Sequence, residues 1–141
     1  MQFKFQKATI EDRNYLLELR KLTMVEHLEK SGQFLSELEH ERRLDENYEC
    51  SYLIVHHDEV IGTLKYREFD EKIEIMQLQI HPDYQSKGLG GKVLEQVLEY
   101  SKPKYLELTV LKENRALNLY KKLGFSVFGE DQLEFFMHTK H

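Results

Sequence analysis

Six residues, Gln85-Ser86-Lys87-Gly88-Leu89-Gly90, carry the clearest chemical signal in the chain. An apolar stretch over residues 73–80 precedes them and a helix-like run over residues 89–100 follows. A strand, a short polar loop and a glycine-rich helix start present backbone N–H groups at the positive end of a helix dipole, which suits a phosphate. A side chain at Gly88 or Gly90 would hold a pyrophosphate off the backbone. Two familiar phosphate loops do not fit. Gly91-Lys92 is followed by Val93, which has no hydroxyl for Mg²⁺. Val93 also stands where a dinucleotide fingerprint needs its third glycine.

A second block, Asn114-Arg115-Ala116-Leu117-Asn118-Leu119-Tyr120-Lys121-Lys122-Leu123-Gly124-Phe125, places an asparagine before a helix that carries a tyrosine and ends in Gly-Phe. The loop fits the pattern Q/R-x-x-G-x-G/A, and His81-Pro82-Asp83-Tyr84 precedes it as a strand-end turn. Loop and second block, in this order and spacing, resemble the GNAT superfamily of N-acetyltransferases over essentially the whole chain.

The resemblance implies acetyl-CoA as co-substrate, no metal, and direct transfer of the acetyl group to an amine in a ternary complex. It implies two neighbouring strands that splay apart and expose backbone groups at Leu78, Gln79 and Ile80 to the pantetheine arm and acetyl carbonyl. By the same carry-over Gln85, Ser86, Lys87, Gly88, Leu89, Gly90, Gly91, Asn114, Leu117 and Tyr120 contact the coenzyme. Tyr120, six residues past Asn114, is the expected general acid toward the departing thiolate. Glu74, eleven residues before Gln85, falls where some histone-acetylating members carry a catalytic glutamate. It is the expected base, because an amine of pKa near ~10.4 must lose a proton before it attacks. A water held by Gln77 or Gln79 is the alternative base.

Each assignment has a plainer counterpart. Tyr120 shares a helix face with Leu117 and Leu123, as a core tyrosine would. Glu74 could sit on the solvated face of an alternating strand. Asn114 could serve as a helix cap, and Lys87 as a solvated lysine. His56 and His57 are adjacent on an expected strand and should point to opposite faces, so with His81 and His138 they give no metal-ligand spacing. Cys50 has no nucleophile motif around it. The charged run over residues 37–46 is either a solvated helix face or an acidic roof over an amine site.

The elements that must position these residues follow from periodicity. A strand is expected over residues 3–8, then a helix capped by Thr9 with Asp12 in a capping-box position and stopped at Ser31-Gly32. Phe34, Leu35, Leu38 and Leu44 suggest a second helix. Residues 52–57 and 60–66 read as a hairpin around Asp58-Glu59. Strands follow at 72–80 and 105–111, with an amphipathic helix at 89–101 between them. Asn114 should cap a helix to Leu123, with Gly124 just past its end, and strands at 125–128 and 133–138 close the sheet. The order is β-α-α-β-β-β-α-β-α-β-β. This is an α/β fold with a mixed sheet; the resemblance makes it GNAT-like, mostly antiparallel, splayed at the coenzyme site and flanked by helices.

Bulk properties narrow the setting. At 141 residues the chain reads as one domain, 1–141. A net charge of −5 argues against generic nucleic-acid binding and favours cationic partners. One cysteine excludes an internal disulfide and suits a reducing compartment, the cytoplasm. No apolar run approaches the ~20 residues of a membrane span. The expected partner is a small-molecule or peptide amine, with homodimerisation open. The alternatives are transfer of a different acyl group, a non-catalytic acetyl-CoA sensor, or an interaction module of the same fold.

Overall fold

The computed structural model describes residues 2–85 and 87–140, apart from the side chains of Glu26 and His27. Its strands are β1 (Lys4–Lys7), β2 (Ser51–His56), β3 (Glu59–Glu68), β4 (Lys72–Ile80), β5 (Tyr105–Leu111), β6 (Ser126–Glu130) and β7 (Glu134–His138). The helices are α1 (Arg13–Lys30), α2 (Glu37–Asp45), α3 (Leu89–Ser101) and α4 (Leu117–Lys122). Among the described residues the strands form one sheet in the order β1-β2-β3-β4-β5-β7-β6. Every pairing is antiparallel except β4 with β5. A parallel pair needs a long crossover, and α3 supplies it.

Two cores lie on opposite faces of this sheet. Val93, Leu94 and Val97 of α3 pack with Ile54, Leu64, Ile75, Leu106, Leu108 and Met137 on one face. On the other, Leu16 of α1, Leu44 of α2 and Leu53 of β2 form a smaller cluster with Ala8. The small cluster leaves polar groups to be satisfied beneath α1 and α2. Arg20 is only 2% exposed, and its Nε donates to His40 Nδ1 at 3.2 Å. Lys65 is also buried, and its ammonium donates to the carbonyls of Leu44 and Glu46 at the end of α2. Lysine there satisfies carbonyls that the helix itself leaves unpaired.

Several local expectations shift. Ser36 caps α2, accepting from the Glu39 N–H at 3.1 Å. Phe34 therefore precedes the helix and is 76% exposed, and Leu38 is 77% exposed; His40 and Leu44 form the buried face. The β2–β3 turn is His57-Asp58, both with positive φ, one residue earlier than expected. That turn takes His57 out of the strand and brings its ring 4.0 Å from that of His56, so the two do not point to opposite faces. Thr9 opens a short 3₁₀ turn, Ile10–Asp12, before α1, and its N–H donates to Asp12 Oδ2 at 2.8 Å.

Candidate active site

The site begins with a miscount between two strands. Lys65 pairs with Gln77 and Tyr66 with Ile75, which leaves Met76 of β4 without an opposite residue. This bulge reverses the side-chain alternation of β4. Ile73 and Ile75 before it, and Leu78 and Ile80 after it, all pack toward α3. Glu74, Gln77 and Gln79 are consequently on the α1–α2 face. Gly62 of β3 permits the close approach there: a Cβ on it would lie 2.1 Å from the Gln79 carbonyl oxygen.

Beyond the bulge β4 leaves β5. Their parallel register runs from Lys72↔Tyr105 to Ile75↔Leu108 and stops, although both strands continue. The backbone of residues 76–80 and 109–111 thus flanks an opening in the sheet. A cavity of about 40 Å³ lies at the parting, lined by Met76, Gln77, Leu78, Leu108, Thr109 and Tyr120 among others. Gln79 is buried at 6% exposure, and its Nε2 has no hydrogen-bond partner among the described residues.

Tyr120 reaches this cavity from α4. Helix α4 ends in a Schellman motif: the Gly124 N–H donates to the Lys121 carbonyl at 3.2 Å and the Phe125 N–H to the Tyr120 carbonyl at 3.0 Å. Gly124 takes φ +103°, which favours glycine. Burial raises the Tyr120 phenol above its ordinary value, so it is a loaded proton donor at neutral pH. Asn114 is not the helix cap: its Oδ1 accepts from the Ala116 N–H at 2.8 Å, closing a turn before α4 starts at Leu117. Leu117 packs partly buried against the same core as Tyr120.

The glycine-rich loop expected to hold an anion leads into the start of α3. Gly88 precedes the helix with φ +70°, and nothing stands within 4 Å of where its Cβ would be. The first helical bond runs from the Lys92 N–H to the Gly88 carbonyl at 3.2 Å. The N–H groups of Leu89, Gly90 and Gly91 are therefore open to an external acceptor. Gly90 leaves ordinary room toward Ile80, at 3.7 Å. Gly91 has a packing role, since its Cβ would meet Leu119 of α4 at 3.2 Å. Leu89 is buried in the α3 core, so it presents only its backbone at the helix start. Ser86 lies outside the described residues.

Gln85 holds the loop in shape, its Nε2 donating to the Ile80 carbonyl at 2.8 Å and its N–H to the Pro82 carbonyl at 3.2 Å. Lys87 lies over the Tyr84 ring, 5.8 Å from its centre, and the Tyr84 hydroxyl donates to Glu59 at 2.7 Å. The β2–β3 hairpin thereby anchors the turn that leads into the loop, a contact for which the sequence carries no motif.

Glu74 stands inside the paired part of β4, level with Glu107 of β5 and Arg67 of β3. Lys72 nearby is ion-paired to Glu107 at 3.2 Å. Glu134, at the start of β7, belongs to no motif in the sequence. Its carboxyl is held above the usual range by burial, then by Asp131, against an opposing pull from Arg43 of α2. A much larger cavity, about 950 Å³, lies elsewhere, between β1–β3 and the C-terminal half of α3. Neither the loop nor Tyr120 borders it.

A model of the acetyltransferase (GNAT) family matches residues 15–125. The chain is 40% identical over 70 residues to the spermidine N(1)-acetyltransferase of Escherichia coli (strain K12), a match covering 46% of this chain and 38% of that protein. It thus spans well under half the length of that relative. In three dimensions it is similar to the PaiA N-acetyltransferase of Thermoplasma acidophilum in complex with coenzyme A. That likeness has TM-score 0.73 and 22% identity, with all of both chains covered. It is also similar to an acetyltransferase of Thermus thermophilus, with TM-score 0.76 and 18% identity over 98% of this chain and 96% of that one. A third likeness is to the spermidine N-acetyltransferase of Vibrio cholerae in complex with CoA and spermine. Here the TM-score is 0.70 and the identity 20%, over 97% of this chain and 94% of that one.

Proposed function

The chain belongs to the GNAT acetyltransferase family, and from that premise we propose that it transfers an acetyl group from acetyl-CoA to a primary amine, by direct attack in a ternary complex. One observation carries the reading: Tyr120 lines a cavity at the place where β4 and β5 part.

The residues present fit the coenzyme. The open N–H groups at the start of α3 and the empty space over Gly88 suit its pyrophosphate. The parted backbone at Leu78, Gln79 and Ile80 suits an extended pantetheine arm, which needs exposed N–H and C=O groups. Acetyl-CoA supplies an activated acyl group with a thiolate leaving group. Tyr120 donates its phenolic proton to that leaving group. Gln77 lines the same cavity as Tyr120. Glu74 faces the acceptor side and is the base that sequence spacing favours; a water held by Gln77 or Gln79 would do the same work. Asn114 shapes the turn that sets α4, so its contribution to coenzyme binding is indirect. We read residues 1–141 as one catalytic domain acting in the cytoplasm.

The test is an acetyl-CoA-dependent release of free thiol, measured across a panel of amines: spermidine, lysine, an N-terminal peptide and a simple alkylamine. Thiol release that requires one of these amines supports acetyl transfer. Tight acetyl-CoA binding without release in any of them would leave the chain as a sensor.

A further inference from the structure

Glu134 opens β7 and pairs with Leu111, at the end of the stretch of β5 that β4 has left. Strand β7 lies along the free stretch of β5, with Thr109 opposite Phe136 and Leu111 opposite Glu134. Strand β4 has already left β5 beyond Leu108, so Glu134 is level with the parted strands. Phe135 and Met137 pack in the α3 core. Alternation then puts Glu134 and Phe136 on the α1–α2 face with Gln77 and Gln79. The turn before Glu134 is tied down: Asp131 Oδ1 accepts from the N–H groups of Leu133 and Glu134 at 2.9 and 2.7 Å.

We propose that Glu134 receives the ammonium group of the acceptor and takes its first proton. The inference rests on the acetyl-transfer reading and names the residue that reading leaves open. Among the described residues, two charged groups act on the Glu134 carboxyl: Asp131 from the β6–β7 turn and Arg43 from α2. Arg43 is engaged by Glu39, its Nε donating to Glu39 Oε1 at 3.1 Å. Among the described residues no donor lies within hydrogen-bond distance of the Glu134 carboxylate. A half-buried carboxylate without a donor among the described residues, on the same strand face as Phe136, suits an alkylammonium with an aliphatic stem. Its raised pKa improves it as a proton acceptor near neutrality. Glu74 is worse placed, since it stands where β4 and β5 are still paired and next to the Lys72–Glu107 ion pair.

The protons balance. One proton passes from R–NH₃⁺ to Glu134. The freed lone pair forms the C–N bond to the acetyl carbon as the C–S bond breaks. The leaving sulfur takes the Tyr120 proton, and the second proton lost by nitrogen restores the phenol. Glu134 releases its proton to solvent.

The experiment compares the parent, Glu134→Gln and Glu74→Gln, using the amine of the panel that the parent acetylates fastest. Glu134→Gln should lower kcat/KM at pH 7 by about 100-fold or more, the loss shrinking as pH nears the amine's own pKa. Calorimetry should show its acetyl-CoA affinity unchanged and the amine bound to the CoA complex about tenfold more weakly, about 1.4 kcal/mol. Glu74→Gln should lose less than Glu134→Gln. A Glu134→Gln pH profile parallel to the parent's, or a larger loss in Glu74→Gln, overturns the assignment while leaving acetyl transfer intact. A parent that binds no acetyl-CoA, or acetylates no amine of the panel, overturns the underlying reading and this one with it.

Discussion

The Phe125 N–H donates to the Tyr120 carbonyl at 3.0 Å, and the two rings lie 5.9 Å apart. The Tyr-x-x-x-Gly-Phe spacing is thus a helix stop that fixes the tyrosine it contains. The bond closes the last turn of α4, the glycine between supplies the positive φ, and the ring contact is the apolar pair that accompanies such a stop. A phenol held at its own backbone and ring has little freedom, which suits the proton-donor role proposed for it.

That relationship predicts the behaviour of Gly124→Ala. Alanine at φ +103° should cost about 1–2 kcal/mol of stability, read from denaturant unfolding. It should also lower kcat more than it weakens acetyl-CoA binding, because Tyr120 loses its anchor while the α3 start is untouched. Equal losses in both would mean that α4 does not aim the phenol.

Tyr120→Phe tests the phenol itself. It keeps the ring and its packing and removes only the proton donor, so kcat should fall about 100-fold or more with acetyl-CoA affinity within about twofold of the parent. Burial raises the Tyr120 pKa, so the parent's rate should not decline from ionisation of this residue anywhere near neutral pH. A turnover number close to the parent's would reduce Tyr120 to a packing residue.

Gly90→Asp separates the anion site from the fold. The added Cβ meets ordinary space, 3.7 Å from Ile80. A carboxylate in the first turn of α3 should leave the free protein as stable or favour it by about 0.3–1 kcal/mol. Against a pyrophosphate the same charge is repulsive. Acetyl-CoA at about 100 times its dissociation constant should stabilise the parent by roughly 2.7 kcal/mol and the variant hardly at all. Gly88→Asp is the weaker test, because φ +70° there mixes backbone strain with loss of the site. A retained ligand shift in Gly90→Asp would move the phosphate elsewhere.

Alkali should destabilise the protein through Tyr66. Burial, then the neighbouring Tyr52 phenol, pushes the Tyr66 phenol from 10.0 up to about 12. The two rings are stacked at 4.9 Å. The unfolded chain loses this proton first, so between those two values it binds fewer protons than the folded chain, and stability falls as pH rises. Tyr66→Phe should flatten that part of the stability curve, followed by urea midpoints at successive pH. An unchanged slope would remove Tyr66 from the alkaline transition.

The loop at Gln85–Gly90 and the Asn114-to-Phe125 block were legible in the amino-acid order because they are local devices. A glycine that must take positive φ, a helix start with open N–H groups and a helix stop each span a few consecutive residues, so their chemistry is written in adjacent letters. The strands and helices were legible for the same reason, through their periods. Their ends moved where a neighbour decided: Ser36 took the cap of α2, and His57-Asp58 took the turn.

What only the tertiary structure decided is how the strands count against one another. Nothing in residues 72–80 marks Met76 as the unpaired one; the bulge exists because β3 pairs Lys65 with Gln77 and Tyr66 with Ile75. That single skipped residue keeps Leu78 and Ile80 in the α3 core and turns Gln77 and Gln79 to the α1–α2 face. The parting after Ile75↔Leu108 and the station of Glu134 opposite Leu111 are likewise properties of register. Register is a relation between segments far apart in sequence, set by how their faces bury together, and no single segment contains it.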